Sequence, residues 1–155
     1  MVSRIYHNTT LVLFSIILFT SSPALISSAF ARGRIVEQVE AQLIRVIDGD
    51  TIVVSIQEFC PLFGEEIGVR IRGIDAPELR SSDCRVRALA VKAKQLVSKL
   101  MDSAKVIELR DLERGKYFRL IADVYVDGVN VSKVLLEQGV ALPYDGGKRP
   151  DWGSL

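Results

Sequence analysis

Two runs of β-branched residues flank a short acidic reversal, and this pattern constrains the fold more than any other feature of the chain. The runs occupy residues 42–47 and 51–56, and Asp-Gly-Asp lies between them at 48–50. β-branched residues favour strands, and Asp-Gly between two such runs is typical of a β-hairpin. The sequence therefore predicts two antiparallel strands joined by a tight turn.

The remaining sequence predicts three more strands and two helices. The strands are predicted at residues 69–74, 105–109 and 119–126. Apolar residues recur at helical spacing over 86–101, and a shorter helix is predicted at 131–138, ended by Gly139. The tail from 143 to 155 is rich in Gly and Pro and is predicted to be irregular. This order of elements indicates an α+β fold, a five-stranded OB-type β-barrel with two helices.

The first 31 residues are typical of a secretory signal peptide. A basic start containing Arg4 precedes an apolar run at 11–19, and Ala-Phe-Ala at 29–31 has the form of a cleavage site. The apolar run is shorter than the roughly 20 residues that span a bilayer. We expect residues 32–155 to form one exported domain, secreted or periplasmic. An uncleaved leader that anchors the protein to a membrane is the alternative.

Charge and histidine content exclude some classes of site. The chain has 20 Lys+Arg and 19 Asp+Glu, so removal of Arg4 with the leader leaves 19 of each and a formally neutral domain. Net charge therefore predicts no general attraction to nucleic acid, and phosphate affinity must be local. The only histidine is His7, in the leader, and no Cys-x-x-Cys occurs, which argues against a zinc or haem site.

Cys60 and Cys84 are the two cysteines of the chain. In an exported protein an even number favours a disulfide, and two unpaired thiols are the alternative. A disulfide that closes a loop of about 25 residues would stabilise the fold by roughly 3 kcal/mol in the chain-entropy model.

Carboxylates and arginines near two predicted reversals indicate phosphate chemistry. These residues are Asp48, Asp50, Arg70, Asp75, Glu78 and Arg119. Carboxylate oxygens suit Ca²⁺ or Mg²⁺, and the planar guanidinium matches phosphate. Each motif alone is also explained as an ordinary turn or a surface ion pair, including a pair between Arg70 and Glu78. Together, and in this order, they favour a cation-dependent phosphodiester site.

Two other sets of basic residues have a structural explanation as well. Arg72 shares a predicted strand face with Arg70, and we expect it to pack or to form an ion pair. Arg80, Arg85 and Arg87 precede or begin the long predicted helix. They either attract phosphate or belong to a solvated loop and helix face.

Three motifs resemble those of the staphylococcal (thermo)nuclease family. They are Val-Ile-Asp-Gly-Asp-Thr at 46–51, Val-Arg-Ile-Arg-Gly-Ile-Asp-Ala-Pro-Glu at 69–78, and Lys-Tyr-Phe-Arg-Leu at 116–120 followed by Tyr-Val-Asp-Gly at 125–128. Order and spacing agree as well as residue type, over about residues 40–145. The resemblance implies an OB-type barrel that acts on nucleic acid.

The resemblance also implies a role for each matching residue. The implied Ca²⁺ ligands are the carboxylates of Asp50 and Asp75 and the backbone carbonyl of Ala76. The implied catalytic groups are the phosphate-binding Arg70 and Arg119 and the water-activating Glu78. The implied outer residues are Asp48 behind the cation, and Tyr117 and Tyr144 beside the phosphate or base of the substrate. Ala76 stands where many members of that family have Thr, a harmless change if only the backbone oxygen is used.

We therefore expect an exported, monomeric, calcium-dependent endonuclease that hydrolyses DNA, with RNA as an open alternative. The resemblance implies products with 3′-phosphate ends. One rival hypothesis is a nucleic-acid-binding or protein-binding module on the same barrel. The other is a structural protein held at a membrane by an uncleaved leader.

Overall fold

The computed structural model describes residues 34–59 and 65–154. Its strands are β1 (Arg34–Val46), β2 (Thr51–Ser55), β3 (Ile67–Ile71), β4 (Ile74–Asp75), β5 (Ile107–Arg114), β6 (Leu120–Val126), β7 (Val129–Asn130) and β8 (Leu142–Pro143). Its helices are α1 (Cys84–Asp102), α2 (Val131–Glu137) and a short 3₁₀ helix, Trp152–Ser154. The predicted leader and Cys60 lie outside the described residues.

A parallel strand pair closes the sheet into a barrel. The long strand β1 pairs antiparallel with β2 and with β5, β2 pairs with β3, and β5 pairs with β6. The parallel pairing of β3 with β6, in which Val69 lies opposite Leu120, joins the two ends. This five-stranded mixed barrel with two helices confirms the predicted OB-type architecture.

Two predicted elements differ from the observed ones. The strand predicted at 69–74 is interrupted, because Gly73 adopts a φ of +80° and turns the chain between β3 and β4. Ile74 then pairs with Pro143, and Asp75 with Leu142, in a separate two-stranded sheet. The prediction of an irregular tail was therefore wrong at its start, where the chain forms β8.

Arg72 has the ion-pair role that the sequence predicted. Its Nη1 lies 3.3 Å from Oε1 of Glu113, and its Nε lies 3.6 Å from Oδ1 of Asp123. The guanidinium also donates to the backbone carbonyl of Asp111. Arg72 therefore links β3 to β5 and β6 on the outside of the barrel.

Helix α1 starts with a side-chain cap and packs its small residues against the barrel. Asp83 accepts a hydrogen bond of 2.7 Å from the backbone N–H of Arg85, which satisfies a free donor of the first turn. The Arg85 guanidinium also pairs with Asp83, and Arg87 donates to the carbonyl of Ser81. These contacts give both arginines a local structural role. Among the described residues, no helix is long and apolar enough to cross a membrane.

Gly49 is required in the β1–β2 turn because the backbone passes very close to its neighbours. A Cβ atom at this position would lie 2.7 Å from Cβ of Ala76 and 2.7 Å from Cβ of Ala93 in α1. Both contacts are closer than carbon atoms tolerate, and neither alanine has a flexible side chain that could move away. Gly49 therefore allows the turn, the second acidic motif and α1 to meet at one point.

Replacing Gly49 by Ala should lower the free energy of unfolding by about 1–3 kcal/mol, because overpacking forces the backbone apart. Urea unfolding of both proteins measures this difference. Gly153→Ala is the matched control, since its Cβ would lie 3.4 Å from Oδ1 of Asp151, an ordinary contact. Equal stability of the Gly49 variant and the wild type would contradict the close approach.

Candidate active site

The β1–β2 turn holds Asp50 beside strand β3. The carboxylate of Asp48 accepts a hydrogen bond of 3.1 Å from the backbone N–H of Asp50, and the carbonyl of Asp50 accepts one of 2.8 Å from the N–H of Ile71. Thr51 lies opposite Arg70 in the antiparallel pairing of β2 with β3. The predicted hairpin therefore brings the first acidic motif next to the predicted phosphate-binding arginine.

Arg70 joins the two carboxylates that the sequence predicted to act together. Its Nη1 lies 2.8 Å from Oδ1 of Asp50, and its Nη2 lies 3.1 Å from Oδ1 of Asp75. Both aspartates are buried, with Asp75 completely inaccessible to solvent. The backbone N–H of Ala76 adds a hydrogen bond of 3.0 Å to Oδ2 of Asp50. The two acidic motifs, distant in sequence, thus converge on a single guanidinium.

The C-terminal segment adds two side chains to this cluster that the sequence analysis missed. Nε of Arg149 lies 2.8 Å from Oδ1 of Asp75, and Nε1 of Trp152 donates to Oδ2 of Asp75 at 2.9 Å. Arg149 also donates through Nη1 to Oε1 of Glu78. The pair proposed between Arg70 and Glu78 was therefore wrong, because Arg70 binds the two aspartates and Arg149 binds Glu78.

Arg119 reaches the same region from the start of β6. The parallel pairing of β3 with β6 places Arg70 opposite Ile121, two residues beyond Arg119. Gly68 leaves room for the Arg119 side chain, because a Cβ at Gly68 would lie 3.1 Å from Cγ of Arg119. The barrel closure thus brings both predicted phosphate-binding arginines to one side of the molecule.

The predicted substrate-binding tyrosines lie on either side of these arginines. Tyr117 is 83% exposed with a φ of +58°, and its ring centre lies 5.9 Å from Cζ of Arg119. Phe118, the next residue, is 89% exposed and also has a φ of +58°. Tyr144 is half-buried, 5.8 Å from Cζ of Arg70, and its hydroxyl donates to the carbonyl of Gly147.

The two acidic motifs and the arginines line one open cleft of about 410 Å³, and Asp75, Tyr117 and Tyr144 lie outside its lining. The charged residues that line it are Asp48, Asp50, Arg70, Glu78, Arg80, Arg119 and Arg149. Its lining combines carboxylates, of which Asp50 is buried, with guanidiniums, so it presents both hard oxygen ligands and phosphate-binding donors. The cleft is therefore the candidate active site of the protein.

Burial sets the charge state of Asp50. Loss of solvent raises the pKa of Asp50 to about 6, although the N–H of Ala76 and the guanidinium of Arg70 act to lower it. The nearby carboxylate of Asp48 raises it further. The negative charge of Asp50 is thus only partly compensated by its neighbours, and a bound cation would compensate it.

Asp50 should make the fold less stable as the pH rises, because its folded pKa of about 6 exceeds the unfolded value of 3.8. In the presence of a chelator, the free energy of unfolding of Asp50→Asn minus that of the wild type should increase by about 2 kcal/mol from pH 4.5 to pH 7.5. Urea unfolding at both pH values measures the change, with exposed Asp145→Asn as the control. An unchanged difference would contradict the raised pKa.

The donor set fits a hard divalent cation. Asp50 accepts from Thr51, Arg70 and Ala76, and Asp75 accepts from three donors as well. A carboxylate has about four lone-pair sites, so Asp50, which lines the cleft, retains one for a cation. The carboxylate of Asp75 is inaccessible to solvent while Arg70, Arg149 and Trp152 hold it, so these contacts must rearrange before Asp75 can bind a cation. Within residues 34–59 and 65–154, no three acidic, His or Cys side chains gather closely enough to hold an ion without other ligands. Backbone carbonyls and water would complete the coordination.

The predicted disulfide is not tested. Cys84 is exposed at the first position of α1, and Cys60 lies outside the described residues. The disulfide therefore stays a prediction.

Comparison with known proteins agrees with this geometry. The family described as Staphylococcal nuclease homologue matches residues 68–151, more than half of the chain. The chain belongs to the staphylococcal nuclease family. The match includes five charged residues of the cleft, which are Arg70, Glu78, Arg80, Arg119 and Arg149. The predicted family membership is thereby confirmed, and the second and third sequence motifs lie within the matched residues, whereas the motif at 46–51 precedes them.

Several bacterial relatives are about one-third identical to this member of the staphylococcal nuclease family over the aligned segments. The SPbeta prophage-derived endonuclease YokF of Bacillus subtilis (strain 168) is 36% identical over 107 residues, 68% of this chain and 34% of the relative. Endonuclease YncB of the same organism is 36% identical over 105 residues, 66% of this chain and 47% of the relative. The thermonuclease of Staphylococcus hyicus is 29% identical over 101 residues, 64% of this chain and 56% of the relative. The matched region thus spans between about a third and just over half of these relatives.

Proposed function

We propose that the protein is a calcium-dependent endonuclease that hydrolyses phosphodiester bonds of DNA. The observation that carries this proposal is one open cleft lined by Asp50, Glu78, Arg70 and Arg119. Asp75 is buried and is joined to the lining residues Arg70 and Arg149 by ion pairs. Relatives named endonuclease and thermonuclease support it. RNA remains a second substrate to be tested, and the products proposed are those with 3′-phosphate ends.

Each side chain has a defined task in the proposed reaction. The chemistry that Ca²⁺ supplies when bound by Asp50, Asp75 and the carbonyl of Ala76 is polarisation of the phosphate and orientation of a water molecule. Glu78 accepts a proton as the water oxygen bonds to phosphorus. The bond from phosphorus to the 5′-oxygen breaks, and that oxygen takes a proton from solvent.

The arginines stabilise the charge that grows on the phosphate. Arg70 has five N–H donors, and its bonds to the aspartates use only Nη1 and Nη2, so it retains donors for a phosphate oxygen. Arg119 presents a second guanidinium from the start of β6. Donors fixed in a partly buried site are most effective where charge develops in the transition state. Both arginines should therefore contribute more to turnover than to initial binding.

The aromatic residues around the cleft fit a substrate with unpaired bases. Exposed Tyr117 lies beside Arg119, and Tyr144 lies beside Arg70. Aromatic rings stack on nucleic-acid bases without sequence preference, while arginines contact the phosphates of the nucleic-acid backbone. We propose that both tyrosines contact the phosphate or base next to the cleaved bond. We also propose that the protein is a monomer and that the leader at residues 1–31 directs its export.

A digestion assay tests the proposed function. The full chain is incubated with single-stranded DNA, duplex DNA and RNA, in Ca²⁺ and in excess chelator, followed by end-group analysis of the products. The proposal predicts cleavage of DNA that requires Ca²⁺ and leaves 3′-phosphates. Equal cleavage with the chelator would reject the calcium mechanism. Binding without cleavage would favour the rival hypothesis of a nucleic-acid-binding module.

A further inference from the structure

We infer that Arg149 is a positioning residue that fixes the Glu78 carboxylate relative to Asp75. The inference rests on the proposed function and extends it to a third arginine in the C-terminal segment. Arg149 contacts both carboxylates with different edges of one guanidinium, through Nε at 2.8 Å to Asp75 and through Nη1 to Glu78. It therefore bridges a proposed cation ligand and the proposed base.

The two carboxylates that the bridge joins differ in burial and in their other partners. Asp75 is fully buried and is also held by Arg70 and by the indole N–H of Trp152. The Glu78 side chain, in contrast, is 61% exposed. In the described part of the chain, its one hydrogen bond is the bond from Arg149. Arg149 thus transfers the fixed position of Asp75 to a carboxylate that would otherwise sample several rotamers.

The bridging geometry favours a guanidinium over any other cation at this position. The fork of Arg149 presents donors to two carboxylates at a fixed spacing, whereas the single ammonium of Lys acts as a point charge. A lysine in place of Arg149 would keep the charge but lose the bridge.

A positioning role matters because general base catalysis depends on geometry before it depends on pKa. A base must lie within hydrogen-bond reach of the water that it activates, and a displacement of about 1 Å can cost roughly 10²-fold in rate. Glu78 follows Pro77 in a loop, so its backbone supplies no strand or helix to fix it. The contact with Arg149 supplies that constraint.

The first test compares steady-state kinetics of the full chain carrying Arg149→Ala, Arg149→Lys or Lys148→Ala on a single-stranded oligonucleotide in Ca²⁺. The inference predicts that both Arg149 variants lose about 10²-fold in kcat, with KM changed by less than about threefold. Lys148→Ala, an exposed neighbouring cation, should match the wild type. A large rise in KM with unchanged kcat would instead make Arg149 a phosphate-binding residue and overturn the inference.

The second test asks whether Arg149 acts through Glu78. In a double-mutant cycle, adding Arg149→Ala to Glu78→Gln should cause little further loss of kcat, because the base is already absent. Losses that multiply would show that the two residues act independently and would overturn the inference. Full activity of Arg149→Lys would also overturn it, since charge alone would then suffice.

Trp152 provides a control for structural damage. It is the only tryptophan of the chain and donates to Asp75, so its fluorescence reports on the position of the C-terminal segment. The inference predicts wild-type fluorescence in Arg149→Lys together with the loss of kcat. A shifted emission maximum of Trp152 in that variant would show that Arg149 holds the C-terminal segment in place, and would contradict a role at Glu78. If the wild-type protein does not cleave the oligonucleotide in Ca²⁺, the proposed function itself is rejected.

Discussion

Replacing Glu78 by Gln should lower kcat by about 10²–10⁴-fold while oligonucleotide binding remains nearly unchanged. The amide has the size of the carboxylate and can still accept a hydrogen bond from Arg149, but it cannot take a proton from water. Single-turnover cleavage and fluorescence anisotropy with the same labelled oligonucleotide measure the two effects. The variant therefore separates catalysis from binding at one position.

A matched substitution on the surface controls for the loss of a negative charge. Glu137 is exposed at the end of α2, and Glu137→Gln should behave as the wild type in both assays. Cleavage by Glu78→Gln within about threefold of the wild type would remove Glu78 from the role of base. Equal loss of binding and cleavage would point to a damaged cleft instead.

Replacing Asp75 by Asn should lower the free energy of unfolding by about 3–5 kcal/mol and abolish cleavage. Asp75 is the buried partner of Arg70 and Arg149 and accepts from Trp152, and removal of one member of a buried ion pair leaves its partners uncompensated. An amide also directs N–H groups toward donors that need an acceptor. Urea unfolding in a chelator at pH 7.5 measures the loss.

Asp75 and Asp50 should behave differently although they share Arg70. Asp50→Asn relieves a buried charge whose pKa is raised to about 6, and this relief offsets part of the lost ion pair at pH 7.5. Asp145→Asn, at an exposed position, serves as the control for both. If Asp75→Asn were as stable as the wild type, the hydrogen bonds and ion pairs around Asp75 would not stabilise the fold as we expect.

The sequence predicted the barrel because its strands carry local signals. β-branched residues on both sides of Asp-Gly-Asp define the first hairpin. The convergence of Asp50 and Asp75 follows once β2 and β3 pair with Thr51 opposite Arg70. Family resemblance supplied the assignment of roles, and those roles stay predictions until they are measured.

The sequence did not predict the contribution of the C-terminal segment. Arg149 and Trp152 reach Asp75 across 74 and 77 residues, and nothing in a Gly-rich and Pro-rich tail indicates that long-range contact. The break of the third strand was missed because a single Gly73 with positive φ decides it. Gly49 was interpreted as a turn former, whereas the structure requires it for close packing against α1. Each of these features depends on tertiary contacts that periodicity does not encode.

A crystal structure of the Glu78→Gln protein with Ca²⁺ and a nucleoside 3′,5′-bisphosphate would show whether Asp50 and Asp75 share one cation. We expect an anomalous calcium signal about 2.3–2.6 Å from carboxylate oxygens of both aspartates, with a phosphate within hydrogen-bond distance of Arg70 and Arg119. Calcium bound elsewhere, or a phosphate that contacts neither arginine, would rule out this arrangement.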